Sequence, residues 1–382
     1  MKLLSTSISS VIALGMIAGA TNSAQALTWN DGGPTNTWST LGADTNWNPG
    51  GVTWVQGSTA AFVGSGEAIT IGSYLDIGAM DFTGATGTYN FNNTASHSID
   101  ITGGGITGGA NSQIVTTNGD LNFMNSASAG DTTITINGTG SMNFLNTSSA
   151  GTAVINNQSG FLLFDNTATA GSATINNSGP STITFDGSST GGTSSIANGG
   201  AIILDFNTAP TITLNSLNNS FGGSGGDVSM GSKTLALTNL TLGPSMGQVL
   251  NFELNTPGTS GKISISGGVF TGAGTGSVSI NFQDLDLPGA VGGLGTTYTL
   301  IDWSALNPGQ LASYNTTNGI QLSDFTLATG TLPPSLTGAY LSIIDNNKLV
   351  LVAVPEPSSF IMPFAAALGM LWLRRRSNRA AV

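Results

Sequence analysis

The sequence predicts an all-β protein that folds as a parallel β-solenoid, a coil with about 20–21 residues in each turn, or rung. Its main sign is a series of phenylalanines at intervals of 20 or 21 residues: Phe123, Phe144, Phe164, Phe185 and Phe206. An apolar residue stands two positions before each of them: Leu121, Met142, Leu162, Ile183 and Leu204. Such alternation places each pair on one side of a strand. The 55 glycines also disfavour a helical bundle.

A second apolar series predicts a second strand in each rung. It stands nine or ten residues before the phenylalanines: Ile114, Ile134, Val154, Ile175 and Ile196. Turn residues separate the strands, with asparagines on one side and glycines on the other: Asn157 and Asn177, then Gly130, Gly151, Gly171 and Gly192. Because one rung cannot bury its apolar side chains alone, we expect like side chains to stack about 4.8 Å apart. In-register Asn and Thr side chains can then form hydrogen-bonded ladders at the turns.

The regular repeat is predicted over residues 61–231. Phe62 and Phe82 extend the series upstream, with one step missed between Phe82 and Phe123. A β-sandwich with coincidental spacing is the alternative. Strand-like segments continue over residues 232–353 without the rhythm, as an antiparallel domain or as a less regular part of the coil. The glycines of "FGGSGGD" mark the joint, and Asn346-Asn347 predicts a tight hairpin turn.

The N-terminus has the pattern of a secretory signal peptide over residues 1–26. Lys2 precedes an apolar stretch at 11–20, and Ala24-Gln25-Ala26 forms an A-x-A cleavage site. A buried N-terminal helix is the alternative. The chain has no Cys, so we expect the fold to be held by stacking rather than by disulfides.

A tryptophan-rich segment over residues 27–60 follows the signal, with Trp29, Trp38, Trp47 and Trp54. The end of a solenoid exposes its core, so an atypical capping unit is needed there, and bulky aromatic residues serve that purpose. The alternative is a carbohydrate platform, because sugar rings stack on exposed indoles. Trp38 and Trp47 are then the glycan-contacting residues.

The charge pattern excludes nucleic acid as a partner. Residues 27–355 carry 18 acidic residues against three lysines, Lys233, Lys262 and Lys348. Such an acidic surface repels phosphate backbones and anionic lipid headgroups.

The sequence offers little material for catalysis, and we assign no catalytic, cofactor or metal residue. His97 is the only histidine, and no partner motif lies near it. Asp165 and Asp186 follow Phe164 and Phe185, so they stack on adjacent rungs and face outward together. They indicate a solvated acidic face or, less favourably, a pair for polysaccharide hydrolysis or Ca²⁺ binding. The calcium nonapeptide pattern occurs once, at "GGSGGDVSM", with Ser229 in its apolar position.

The C-terminal residues 354–382 combine "VPEPSS", an apolar stretch at 360–373 and a basic end at 374–379. As a helix the stretch is roughly 21 Å long, short of the ~30 Å hydrocarbon layer. This tail resembles the PEP-CTERM sorting signal of Gram-negative bacteria. The resemblance implies processing by an exosortase, a transient membrane helix and the recognition and stop residues Pro355, Glu356, Pro357, Arg374, Arg375 and Arg376. The alternative is an ordinary C-terminal anchor.

The body resembles the autotransporter-associated β-strand repeat proteins, in the tryptophan-rich entry and in units such as "AGTAVINNQSGFLLFDNTATAG". This resemblance implies a right-handed parallel β-helix at the cell surface. The chain departs from true autotransporters because it lacks the pattern of a C-terminal membrane barrel. The sorting tail would take over that step.

Together these features predict a non-enzymatic structural or adhesive protein of the cell surface or the extracellular matrix, associated with a biofilm or an exopolysaccharide. We expect export by the Sec route and an inner-membrane intermediate, and we expect exosortase and envelope components as partners. A glycan-binding module is the alternative, and a polysaccharide-degrading β-helix enzyme is a further one.

Overall fold

The chain forms a parallel β-solenoid of about eight turns, as the computed structural model shows, so the predicted all-β coil is confirmed. The structure describes residues 26–29, 36–41, 45–48, 52–93, 95–108, 113–116, 118–204, 207–221, 225–244, 247–254, 260–274, 278–282, 296–313, 320–332, 336 and 338–354. The predicted signal peptide up to Ala24, the predicted sorting signal and the predicted C-terminal helix lie outside these residues. Ala26 begins the first strand and is paired with Thr59.

Two large sheets form the sides of the coil. The first has 14 strands, in the spatial order β3 (Trp47–Asn48), β1 (Ala26–Trp29), β4 (Ser58–Gly64), β6 (Leu75–Ala85), β8 (Ser98–Thr107), β10 (Asp120–Phe123), β12 (Ser141–Phe144), β14 (Phe161–Phe164), β16 (Thr182–Phe185), β18 (Ala201–Ile203), β20 (Asp227–Ser229), β22 (Gln248–Phe252), β25 (Val278–Phe282) and β28 (Phe325–Leu327). From β1 to β28 every neighbouring pair is parallel, and only β3 is antiparallel, to β1.

The second sheet has 16 strands. Its main order is β2 (Thr37–Trp38), β5 (Ala68–Ile71), β7 (Asn90–Asn93), β9 (Gln113–Thr116), β11 (Thr133–Ile136), β13 (Val154–Asn157), β15 (Thr174–Asn177), β17 (Ser195–Asn198), β19 (Thr211–Asn218), β21 (Thr234–Thr241), β23 (Lys262–Ile265), β26 (Thr297–Asp302), β30 (Lys348–Val352) and β29 (Tyr340–Ile344). Beside it lie β24 (Phe270–Gly272) and β27 (Leu311–Ser313), and the described 3-10 turns are Pro308–Gln310, Leu322–Asp324 and Thr329–Thr331.

The predicted phenylalanine column is confirmed at the centre of the coil. Phe123, Phe144, Phe164 and Phe185 occupy one register position on β10, β12, β14 and β16. Their ring centroids are 4.9, 4.9 and 5.0 Å apart, and all four rings are fully buried. Stacked rings at the strand spacing form a continuous apolar column between the two sheets.

Two ends of the predicted phenylalanine series are wrong. Leu204 takes the position after Phe185 in the column, because Ile183 is paired with Ile202; Phe206 lies outside the described residues. Upstream, Phe123 is aligned with Ile101 rather than with Phe82. The long strands β6 and β8 explain this, because their bulged registers add a second row of inward side chains. Phe82 belongs to that row and stacks on Phe62 at 4.7 Å.

The second column is confirmed with one change. Ile134 is paired with Ile155, and Ile155 with Ile175, so Ile155 is the buried residue of its rung. The predicted member Val154 is partly exposed. Because successive side chains of a strand point to opposite faces, a shift of one residue turns Val154 outward.

The corners between the sheets use left-handed backbone conformations. Gly130, Gly151, Gly171 and Gly192 have φ angles of 60–62° at one corner, as their predicted turn role requires. At the next corner Asn125, Asn146 and Asn166 have φ angles of 56°, 60° and 58°. Between the corners a ladder of single parallel bridges forms a narrow third side: Ser128, Ser149, Thr169 and Thr190.

Replacing Asn166 by Ala is expected to lower the free energy of unfolding by about 1–2 kcal/mol, because the polar side chain of Asn can hydrogen-bond locally and so tolerates the left-handed region, whereas Ala cannot. Asn166→Gly removes the same side chain, whose Oδ1 accepts from the Asn146 N–H at 3.1 Å, but leaves the backbone unstrained. Urea unfolding of both variants isolates the backbone term. Equal losses in the two variants would contradict the left-handed conformation.

Among the described residues after 232, the parallel coil continues to β28, and the antiparallel hairpin of β29 and β30 ends the second sheet. Strands on both sides of the glycine cluster pair directly in parallel, as β18 with β20 and β19 with β21. The hairpin of β29 and β30 confirms the predicted tight turn. Its two residues with positive φ are Asp345 and Asn346, one position earlier than Asn346-Asn347.

Candidate functional site

The third side of the coil presents two columns of exposed or half-exposed hydroxyl groups, which we call the hydroxyl columns. They consist of Ser126, Thr147, Thr167, Ser188 and Thr208, and of Ser128, Ser149, Thr169 and Thr190. The hydroxyls of Thr147 and Thr167 donate to main-chain carbonyls of the preceding rung, at 2.7 and 2.9 Å. The oxygens of these two hydroxyls keep acceptor capacity toward solvent. The result is an uncharged array with the period of the rungs.

Sequence reasoning missed this array, although its signal is visible. The segment "NTATAG" at 166–171 has close copies at 146–151 and 125–130. Its asparagine takes the left-handed corner and its glycine takes the next one. Between these two corner residues, outward hydroxyl side chains alternate with small inward side chains. Ala168 and Ala170, for example, are fully buried. Period-two alternation across a tight corner is a weak signal without the register of neighbouring rungs.

A buried asparagine ladder runs along the opposite corner. Asn157, Asn177, Asn198 and Asn219 are buried, and each amide nitrogen donates to the next amide oxygen, at 2.9, 2.8 and 2.8 Å. These amides also bond main-chain carbonyls of the neighbouring strands, such as Asn177 Nδ2 to Ala201 O at 3.1 Å. The ladder satisfies polar groups inside the coil, so its role is structural.

Asp165 and Asp186 do stack on adjacent rungs, at equivalent positions after Phe164 and Phe185. Each carboxylate accepts a hydrogen bond from the next residue's main-chain N–H, that of Asn166 and that of Gly187. The main-chain carbonyl oxygens of both residues accept hydrogen bonds from the main-chain N–H groups three residues later in the chain. These contacts stabilise the corner, and both side chains are only half exposed.

A polar cluster on the outer face of the first sheet was not predicted. Asp76 and Asp100 are directly paired on β6 and β8. Asp100 accepts from the Tyr74 hydroxyl at 2.9 Å and from Asn122 Nδ2 at 2.7 Å, and Asp76 accepts from the Thr102 hydroxyl at 2.9 Å. Partial burial, together with the hydrogen bond to Asp100, raises the pKa of Tyr74 above its ordinary value. The hydroxyl therefore remains a donor at neutral pH.

The four tryptophans lie together at the N-terminal end of the core. Trp38 and Trp47 are 1% exposed, and their ring centroids are 4.9 Å apart. Trp54 packs on both, at 4.9 and 4.8 Å, and Trp29 meets Trp47 edge-on at 5.2 Å. A sugar stacks only on an open ring face, and none is open at Trp38 or Trp47. The two residues that the glycan-platform alternative assigned to sugar contact lie in the core.

A small cavity of about 290 Å³ lies beside this cluster, lined in part by Trp29, Glu67 and Tyr89. The Glu67 carboxylate accepts from the Trp29 indole and from Asn36 Nδ2, the latter at 2.9 Å. Trp29 and Tyr89 are each 3% exposed. The aromatic surface open to a ligand is therefore small.

His97 and the described part of the glycine motif occupy structural positions. The main-chain N–H of His97 donates to Asn93 Oδ1 at 3.1 Å, in the turn before β8. In the nonapeptide pattern Asp227 is exposed on β20 and accepts from Asn251 Nδ2. Ser229 lies outward between the buried Val228 and Met230, so the pattern's apolar position does not point into the core.

Within the part of the chain that the structure describes, no three His, Cys, Asp or Glu side chains are grouped for a metal ion. In those same residues no helix has the length and apolarity needed to cross a membrane. The residues predicted to act in sorting, Pro355 to Pro357 and Arg374 to Arg376, lie outside the described residues. No protein-family model matches the chain, and no curated protein matches it either.

Proposed function

We propose that the chain is a non-enzymatic structural or adhesive protein, exported to the cell surface or extracellular matrix of a Gram-negative bacterium. One observation carries the proposal: from β1 to β28 all neighbouring strands of the first sheet are parallel to each other. A coil of this kind is quasi-one-dimensional, and its length is set by the number of rungs. Such a rod suits a mechanical role in an envelope or a biofilm.

The internal bonding of the rod supports a role outside the cell. The chain has no Cys, so it requires no oxidative step to fold. Its corners are instead held by repeated hydrogen bonds, and the amide ladder from Asn157 to Asn219 is sealed from water. Backbone groups paired on both sides of each rung resist the local opening that a protease needs.

Sorting through the C-terminal tail completes the proposal. Exosortase processing requires a set order of features, and the sequence has them in that order: the signal peptide, the Pro355-Glu356-Pro357 triplet, the short apolar stretch and the terminal arginines. Positive charge on the cytoplasmic side holds such a segment in the membrane during processing. Exopolysaccharide is the proposed environment of the released rod, and its uncharged hydroxyl columns offer hydrogen bonds to neutral sugars.

The two alternatives receive less support. A glycan platform built on Trp38 and Trp47 conflicts with the burial of both rings. A polysaccharide-cleaving site at Asp165 and Asp186 is favoured less, because one oxygen of each carboxylate accepts a hydrogen bond at the corner. In addition, no Lys or Arg stands between Lys2 and Lys233 to assist an eliminative mechanism.

Intact-mass analysis of the native protein from cells and from medium tests the sorting step. We expect the released form to lack residues 1–26 and the tail after about Pro357. A matched variant, Glu356→Ala, is expected to keep the tail and to stay with the cells, while Glu253→Ala is processed as the wild type. A released wild-type form that retains residues 358–382 would contradict the proposal.

A further inference from the structure

Within the described residues, the last strand of the second sheet has an unpaired edge. β29 is paired on one side with β30 and ends the strand order of that sheet. The first sheet ends at β28. The second sheet continues through β30 to β29 at the C-terminal end of the coil. Among the described residues no strand and no main-chain hydrogen bond covers the outer edge of β29. Alternate N–H and C=O groups of an edge strand are free to pair with another chain.

The other terminal strands are protected against such pairing by their length. β3 and β2 have two residues each, and β28 has three. β29 has five residues, "YLSII", without a charge or a proline. Charges, prolines and short strands are the usual devices that block edge pairing, and β29 has none of them.

The residues of β29 are self-complementary in an antiparallel pair. With Ser342 opposite its own copy, Tyr340 lies opposite Ile344 and Leu341 lies opposite Ile343. Leu341 and Ile343 pack toward the core, whereas Tyr340 is 52% exposed. Aromatic and β-branched residues directly opposite each other stabilise an antiparallel pair. On both faces of the pair, apolar side chains from the two copies would therefore lie opposite each other.

Exposed apolar side chains gather at the same end of the coil. Val354 follows β30 and is 40% exposed, and Leu322 is 43% exposed in the 3-10 turn that contacts β29. Tyr340, on β29 itself, is a third exposed apolar residue at this end.

We propose that two copies of the chain pair through β29 in antiparallel register centred on Ser342, which joins the two second sheets tail to tail. The contact is isologous, with the same patch on both copies, so it closes as a dimer and does not grow into a filament. The occupant of the edge is a second copy because the strand's own sequence supplies the matching partner.

The position of Ser342 on the two-fold axis gives a sharp test by light scattering coupled to size exclusion. The full chain in mild detergent is expected to have twice the monomer mass. Ser342→Lys and Ser342→Glu each place like charges opposite each other, so each should be monomeric, and a mixture of the two should restore the dimer. Thr174→Lys, at an exposed position on the interior strand β15, should leave the dimer unchanged. A monomeric wild type, or a dimeric Ser342→Lys, would overturn the proposal.

A cysteine at the same position tests the pairing without destabilising charges. The chain has no Cys, and opposite residues of an antiparallel pair have Cα atoms about 4.5 or 5.5 Å apart, within reach of a disulfide. Ser342→Cys is expected to give a disulfide-linked dimer on a non-reducing gel, whereas Thr174→Cys stays monomeric. Equal cross-linking of both variants would overturn the register.

Discussion

Replacing Phe164 by Ala is expected to lower the free energy of unfolding by about 3–5 kcal/mol, the usual cost of deleting a buried aromatic ring. Phe164 lies between Phe144 and Phe185, with centroid distances of 4.9 and 5.0 Å, and it is fully buried. Removal of the middle ring interrupts the column, and both neighbours lose a packing partner. Each rung depends on its neighbours, so the loss spreads to the adjacent rungs.

Phe161 provides a matched control on the same strand. Its ring is 60% exposed on the outer face of β14, three positions before Phe164. Phe161→Ala is expected to change the free energy of unfolding by no more than about 0.5 kcal/mol. Urea unfolding followed by far-ultraviolet circular dichroism measures both variants. Comparable losses in the two variants would mean that Phe164 does not lie in a packed column.

Asn177→Asp is expected to destabilise the chain by about 3–5 kcal/mol at neutral pH, because it leaves a buried charge without a partner. Asn177 donates to Asn198 Oδ1 at 2.8 Å and accepts from Asn157 Nδ2 at 2.9 Å. A carboxylate keeps the second bond but sets an oxygen against the Asn198 oxygen. The ladder is therefore broken on one side.

The loss should depend on pH with a definite sign. Burial raises the pKa of the introduced carboxyl in the folded state above its unfolded value of about 3.9. The folded state then binds more protons, so stability recovers as the pH falls toward 4 and the deficit grows as the pH rises. Asn176→Asp, which faces outward on the same strand, is the control and should show a small, nearly flat effect. A flat profile for Asn177→Asp would contradict the buried ladder.

The spacing of residues in the sequence is enough to predict the centre of the fold. Phe123 to Phe185 recur at the rung length because each ring occupies the same place in the coil, so period alone identifies the column. The same reasoning fails where strand length changes. Phe82 keeps the spacing of 20 residues from Phe62, but the long bulged strands β6 and β8 carry it into a different row from Phe123.

The sequence also could not decide which of two adjacent apolar residues points into the core. Val154 and Ile155 are both β-branched and apolar, and only the register with Ile134 decides that Ile155 points inward. For the candidate site, the tryptophans were visible as a cluster, but composition cannot tell a capped core from an exposed platform. Burial of Trp38 and Trp47 follows from the way β2 and β3 close the two sheets.

Paired cysteines on adjacent rungs test the parallel in-register coil most directly. The hydroxyl oxygens of Ser172 and Thr193 are 2.7 Å apart, although the residues are 21 positions apart in the chain. Ser172→Cys with Thr193→Cys is expected to form an intramolecular disulfide in high yield, identified by peptide mapping without reduction. Ser172→Cys with Thr182→Cys, closer in sequence but on different faces, should not. Failure of the first pair, or equal yields from both, would contradict the stacked coil.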